Sequence, residues 1–187
     1  MILLIITFVV FSLLFLQITP GIYEKSVFQT SVSQSQVVNK ASLGFPVRLK
    51  IPSINVNATI QHVGLTPKRE MEVPSNIVDV GWFKPGVLPG EKGSAVIAGH
   101  LNGENGEAGV FTNLNKLKPG DKLYVEDNKG ATTVFVVSKS RIYDSGFADE
   151  VFSKRDGTHL NLITCDGIWD GAKKSYNKRL VVFADAY

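Results

Sequence analysis

Beyond residue 45 the chain alternates short apolar runs with Gly, Pro, Asn and Asp. Runs at 47–51, 58–63, 81–83, 94–101, 122–126, 132–140, 159–164 and 179–183 have the length and β-branched content of strands. Pro52 stops the first. Between the fifth and sixth, Asp127-Asn128-Lys129-Gly130 has the residue types of a hairpin turn. Helical spacing is confined to two short stretches, 110–114 and 148–152, and no segment offers a long amphipathic helix. About eight short strands with few helices predict an all-β (mainly β) fold, a closed or nearly closed β-barrel.

Ahead of this region the pattern changes twice. Residues 1–18 carry no charged side chain. As a helix they would reach roughly 27 Å, about the thickness of a hydrocarbon core. A cleaved signal peptide would call for a basic leader and a small-x-small cleavage site. Thr19-Pro20-Gly21 is a poor match, so residues 1–20 are expected to form a retained N-terminal membrane anchor. Residues 21–45, rich in Ser, Gln, Thr and Val, read as a stalk. The globular domain is then 46–187. With no second spanning segment in the sequence, it is expected to lie wholly outside a single-pass anchor in the cytoplasmic membrane.

Composition narrows the function. A hydrophobic fraction of 44% with 20% charged residues suits one folded domain. A net charge of +3, without a basic run, argues against nucleic acid as a partner. One cysteine excludes an internal disulfide framework, and an exported lone cysteine is either buried or reactive. One Cys and three scattered His give no zinc spacing. Glu104, Glu107 and Asp121 could face calcium, but read more simply as solvated loop charges. No metal and no cofactor are therefore expected.

Three chemically capable residues stand at the ends of apolar runs. Cys165 closes 159–165, His100 closes 94–100, and Arg179 opens 179–183. In a strand, residues two apart share a face, so Cys165 aligns with Ile163 and Asn161, His100 with Ala98 and Val96, and Arg179 with Val181 and Phe183. Three strand ends could converge on one barrel rim as nucleophile, base and guanidinium. Taken singly, each has a plainer reading: a small buried hydrophobe, a turn histidine, a surface charge. Together they point to cysteine acyl transfer. His159 begins the run that Cys165 ends, about 20 Å away along a strand, and cannot serve as its base. His62 sits in a simple polar-apolar alternation.

These residues resemble those of sortases, the membrane-anchored transpeptidases of Gram-positive cell surfaces. The family's T-L-x-T-C motif corresponds to Asn161-Leu162-Ile163-Thr164-Cys165, its histidine to Ala98-Gly99-His100, and its arginine to Lys178-Arg179-Leu180-Val181-Val182. The likeness extends through Leu49-Lys50-Ile51-Pro52-Ser53-Ile54, Val80-Gly81-Trp82-Phe83 and Pro89-Gly90-Glu91-Lys92-Gly93-Ser94. Cys165-Asp166-Gly167-Ile168-Trp169 is most similar to class F sortases. Asn161 departs from the motif's first Thr. The resemblance implies His100, Cys165 and Arg179 as catalytic residues and Thr164, Ala98 and Trp169 as substrate-binding. It implies surface proteins with C-terminal Leu-Pro-x-Thr-Gly-like sorting signals as partners, and a peptidoglycan precursor or other amine as acceptor. L,D-transpeptidases place Cys in a Ser-x-Gly-Cys setting, and papain-like hydrolases place Cys before His; neither pattern occurs here. The non-enzymatic alternative is a membrane-tethered binding barrel with a buried structural cysteine.

Overall fold

In a computed structural model of the chain, residues 43–146 and 150–187 are described. The expected anchor, nearly all of the expected stalk, and Phe147, Ala148 and Asp149 lie outside these residues. Among the described residues no helix is long and apolar enough to cross a membrane.

Among the described residues there are eight strands: β1 (Pro46–Ile51), β2 (Val56–Val63), β3 (Val80–Phe83), β4 (Gly93–Gly99), β5 (Lys122–Asp127), β6 (Thr132–Asp144), β7 (Thr158–Asp170) and β8 (Ser175–Ala186). They close into a barrel in the order β1-β2-β3-β4-β7-β8-β6-β5, with β5 returning to β1. The β2–β3 and β4–β7 pairs are parallel, and the others antiparallel. Single 3-10 turns stand at Pro52–Ile54 and Leu114–Lys116, and one short helix, α1 (Glu150–Ser153), precedes β7. The hairpin turn between β5 and β6 falls where expected. Asp127 Oδ1 accepts from the N–H groups of Lys129 and Ala131, and Gly130 takes a positive φ of 82°.

The period of two sorts the wall residues into two apolar layers. Leu160, Leu162, Leu180, Val182 and Ala184 face a barrel interior that also holds Leu49, Trp82, Ile97 and Phe135. The alternate residues Val96, Val181 and Phe183 form a smaller cluster on the outer face, covered by Val151 of α1 and flanked by Ile163, Phe83 and Met71. Burying each such side chain is worth about 1.5–3 kcal/mol.

Two sequence expectations change here. Cys165 does not end its strand and Arg179 does not open its own. β7 runs five residues past Cys165, and β8 begins four residues before Arg179. The extra residues pair with each other as a two-stranded arm, Trp169 opposite Tyr176 and Asp170 opposite Ser175. A register shift between Asp166 and Trp169, with Gly167 at φ 82°, separates arm from barrel. The arm's large apolar side chains, Ile168 and Trp169, stand exposed, so it lacks the alternation that marks a half-buried strand. It is held by backbone pairing and by the edge-on contact of Trp169 with Tyr176, centroids 5.3 Å apart. At the other strand, β4 stops at Gly99 rather than at residue 101.

Asn161 belongs to the outer layer. It is 2% exposed, and its Nδ2 donates to the Val151 carbonyl at 2.6 Å, fastening α1 to the wall. Asn161→Ala should lower unfolding free energy by about 1–3 kcal/mol, because that buried carbonyl loses its donor. Chemical denaturation reads this directly; unchanged stability would show that α1 is held by apolar contact alone.

Candidate active site

β4, β7 and β8 are consecutive neighbours in the barrel, and this adjacency assembles the three candidate residues. Ala98 is paired with Ile163 across β4–β7. Continuing that parallel register by two residues sets His100 alongside Cys165. On the other edge of β7, Cys165 is the direct partner of Arg179. Neighbouring strands stand about 4.8 Å apart. The three side chains therefore come from one stretch of wall, His100 and Arg179 flanking Cys165. The alternation of β7 and β8 directs Cys165 and Arg179 to the outer face, with Ile163 and Val181 below them. The sequence had suggested a meeting of strand tips at a rim; the site instead lies on the outside of the wall, because β7 and β8 continue past it.

Local packing fixes the end of β4. Thr164, 3% exposed, donates its hydroxyl inward to the Gly99 carbonyl at 2.8 Å. A Cβ on Gly99 would stand 2.5 Å from the buried Phe111 ring, so only glycine fits. The Phe111 N–H in turn donates to the His100 carbonyl at 2.9 Å. Thr164, expected to contact substrate, thus has its hydroxyl engaged within the wall, one position from the thiol.

His100 Nε2 lies 2.9 Å from the Pro74 carbonyl. A carbonyl oxygen only accepts, so Nε2 carries the proton and Nδ1 is the nitrogen left to exchange one. Pro74 belongs to the β2–β3 connection. Gln61 holds that connection: its Oε1 accepts from the Ser75 N–H at 3.0 Å, and its Nε2 donates to Asp79 at 2.9 Å. Neither Pro74 nor Gln61 was signalled by the sequence. A backbone carbonyl carries no residue signature, and Gln61 reads as one polar position in an alternating strand.

The Arg179 guanidinium is bound before any ligand arrives. Nη1 donates to the carbonyls of Tyr176 at 2.9 Å and Lys178 at 2.8 Å, and Nη2 to the Ser175 hydroxyl at 3.2 Å. Among the described residues three of its five N–H groups have acceptors and two do not. The arm is therefore the cradle of the arginine. Tyr176 also donates its hydroxyl to Asn102 at 3.1 Å, joining the arm to the loop that follows His100.

Cys165 is half-buried and is the free thiol of the chain. Burial pushes its pKa above the ordinary thiol value, while the charge of Arg179 pulls it partly back. The resting sulfur at neutral pH is a thiol, and its proton must leave as bond formation begins.

The remaining candidates and controls divide clearly. Ala98 is half-buried on the outer face beside Ile163. Trp169 is 53% exposed on the arm, beyond the three central residues. His159 stands six residues from Cys165 at the other end of β7, bonded to Asp185 at 2.6 Å and Asp156 at 2.8 Å. His62 faces the Pro46 carbonyl at 3.0 Å among Phe45 and Trp82.

Residues 49–187 match the sortase domain family. The chain belongs to the sortase family. It is 26% identical over 148 residues to sortase A of Bacillus anthracis, an alignment covering 79% of this chain. That alignment spans 61% of the Bacillus protein, so the chain matches about three fifths of that relative's length. Sortase C-1 of Actinomyces oris superimposes with a TM-score of 0.57 at 27% identity, over 75% of this chain and 71% of that one. Sortase C of Clostridium perfringens SM101 shares the fold with a TM-score of 0.55 at 24% identity, over 78% of this chain and 71% of that one.

Alkylation of Cys165 by a small reagent, followed against pH, should show a midpoint above the roughly 8.5 of a free thiol. Arg179→Gln should move that midpoint further up, since the charge that favours the thiolate is gone. A rate already maximal at neutral pH would contradict burial as the dominant influence.

Proposed function

We propose that the chain is a cell-surface cysteine transpeptidase that cleaves a Leu-Pro-x-Thr-Gly-like signal between Thr and Gly and transfers the acyl group to a cell-wall amine. The observation that carries this reading is the pairing of Cys165 with Arg179 across β7–β8, with His100 on the opposite edge of β7.

The signal peptide segment lies extended along the outer face, over Ala98 and Ile163, with the Thr carbonyl at Cys165. The Sγ proton passes to Nδ1 of His100 as sulfur attacks the carbonyl carbon. The two unused N–H groups of Arg179 receive the developing oxyanion. Collapse breaks the Thr–Gly C–N bond, the departing amine takes the proton from His100, and a thioester remains. An incoming amine gives its proton back to His100 and attacks the thioester. Breaking the C–S bond forms the new amide and returns the Cys165 thiol. The raised thiol pKa suits this sequence, because a proton that leaves only during attack is available to the leaving amine.

Residues 1–20 serve as a single-pass anchor in the cytoplasmic membrane and residues 21–45 as the stalk holding the domain outside. The partners are surface proteins with C-terminal sorting signals, and the acceptor is a peptidoglycan precursor or another amine. The Cys165-Asp166-Gly167-Ile168-Trp169 continuation supports a class F reading, while the relatives named above are sortases A and C.

A fluorogenic Leu-Pro-x-Thr-Gly peptide series, with and without amine acceptors, tests the reading in neutral detergent. Cleavage should occur between Thr and Gly, yield a ligated product when an amine is present, and vanish in Cys165→Ala. Arg179→Lys should lower kcat/KM by about 10²–10³-fold although charge is kept, because an ammonium cannot replace the planar fork. Near-normal turnover in Arg179→Lys would remove the oxyanion role. Absence of cleavage across the series would leave a binding barrel.

A further inference from the structure

A second concave site lies at the opposite end of β4 from His100. A cavity of about 360 Å³ is bounded by the β3–β4 loop, the first residues of β4 and the segment after α1. Gly93 and Ser94 form part of its wall, and Gly99 ends the same strand beside His100. Six residue steps at about 3.3 Å put the two sites roughly 20 Å apart.

The charge lining this cavity is of one sign. Lys92, Lys154 and Arg155 contribute to it, and the other lining residues are Phe, Pro, Gly, Val or Ser, without a carboxylate. Two acids adjoin these cations in sequence: Glu91, whose carboxylate faces the Leu88 N–H at 3.4 Å, and Asp156. Asp156 Oδ1 accepts from His159 at 2.8 Å, and its Oδ2 lies 3.4 Å from Lys154. Among the described residues neither Lys92 nor Arg155 has an ion-pair partner. Lys154 is thus paired with Asp156, while Lys92 and Arg155 bring two uncompensated charges to one hollow, a Coulomb cost that an anion would recover.

The loops carrying those cations are held in place. Gly93 N–H donates to the Gly157 carbonyl at 2.8 Å, and the Ser94 hydroxyl donates to the Lys154 carbonyl at 3.1 Å. These two bonds fasten the segment of Lys154 and Arg155 to the strand that follows Lys92. One wall is apolar, where Phe83 and Phe152 meet edge to face with centroids 5.4 Å apart. A guanidinium matches the oxygens of a phosphate in a planar fork, and ammonium groups add point charges around it. The aromatic wall provides surface for an organic group attached to the phosphate.

From this arrangement we infer that the cavity is a phosphate-ester binding site, with Lys92, Lys154 and Arg155 around the oxyanion and Phe83–Phe152 beside its organic substituent. It is separate from the Cys165 site and independent of the transpeptidase reading. The ester is carried either by an anionic phospholipid headgroup or by a soluble glycerol-phosphate unit.

Full-length chain in neutral detergent is titrated calorimetrically with glycerol 3-phosphate, a short-chain phosphatidylglycerol, inorganic phosphate and uncharged glycerol. Saturable binding of a phosphate ester but not glycerol is expected, weakening with salt. The double substitution Lys92→Gln, Arg155→Gln should weaken it at least about tenfold, since two charge-assisted contacts are lost. Thermal melting and peptide cleavage should remain unchanged, as both residues are exposed and distant from Cys165. Tighter binding of the phospholipid, lost in Phe152→Ala, assigns the site to a membrane headgroup; equal binding of glycerol 3-phosphate assigns it to a soluble ester. Absence of phosphate-ester binding, or equal affinity in the double variant, overturns the site.

Discussion

Both edges of β7 are occupied, and that double pairing is the constraint on which the site depends. On one side β4 runs parallel to it and ends at Gly99; on the other β8 runs antiparallel and continues with it into the arm. A strand bonded on both edges cannot slip by one residue without turning its whole apolar set to the wrong face. Here a slip would move Leu160 and Leu162 out of the interior and would carry Cys165 inward. The same hydrogen bonds that close the barrel therefore fix the face on which the thiol stands. They also fix which residues stand on either side of it.

A second consequence concerns how little of the site is free to move. His100 is anchored through the Pro74 carbonyl, Arg179 through the carbonyls of Tyr176 and Lys178, and Thr164 through that of Gly99. In each case a backbone acceptor orients a side chain, so the arrangement depends on the path of the chain more than on neighbouring side-chain chemistry. Preorganised donors require no rearrangement when charge develops, which is what makes them effective at an oxyanion. The thiol differs. It is held in a half-buried setting that disfavours its anion, with one fixed cation opposing that effect. At neutral pH the sulfur therefore rests as a thiol.

The outer apolar layer links stability to the site. Val96, Val181 and Phe183 would be exposed on an ordinary barrel wall, yet α1 covers them and Asn161 fastens α1 in place. Asn161 stands where the family motif has a threonine, and its amide donates to the Val151 carbonyl instead of contacting the thiol. The floor beneath Cys165 is thus a small core of its own.

Alternation and punctuation in the sequence were enough to determine eight short strands and a barrel, because side-chain period and turn chemistry are local properties. The separation of Cys165, His100 and Arg179 onto three strands was legible for the same reason, as was the remoteness of His159, six positions along one strand. The tertiary structure decided the rest. Ile168 and Trp169 of the arm beyond Cys165 are adjacent and both exposed, so no alternating period marks it, and only pairing of Trp169 with Tyr176 makes it a strand. The roles of Pro74, Tyr176 and Lys178 belong to their carbonyls, which every residue possesses. The outer-face position of the site and the convergence of Lys92 with Lys154 and Arg155 follow from which strands and loops become neighbours across the barrel. That is a long-range relation, and no local pattern in the chain encodes it.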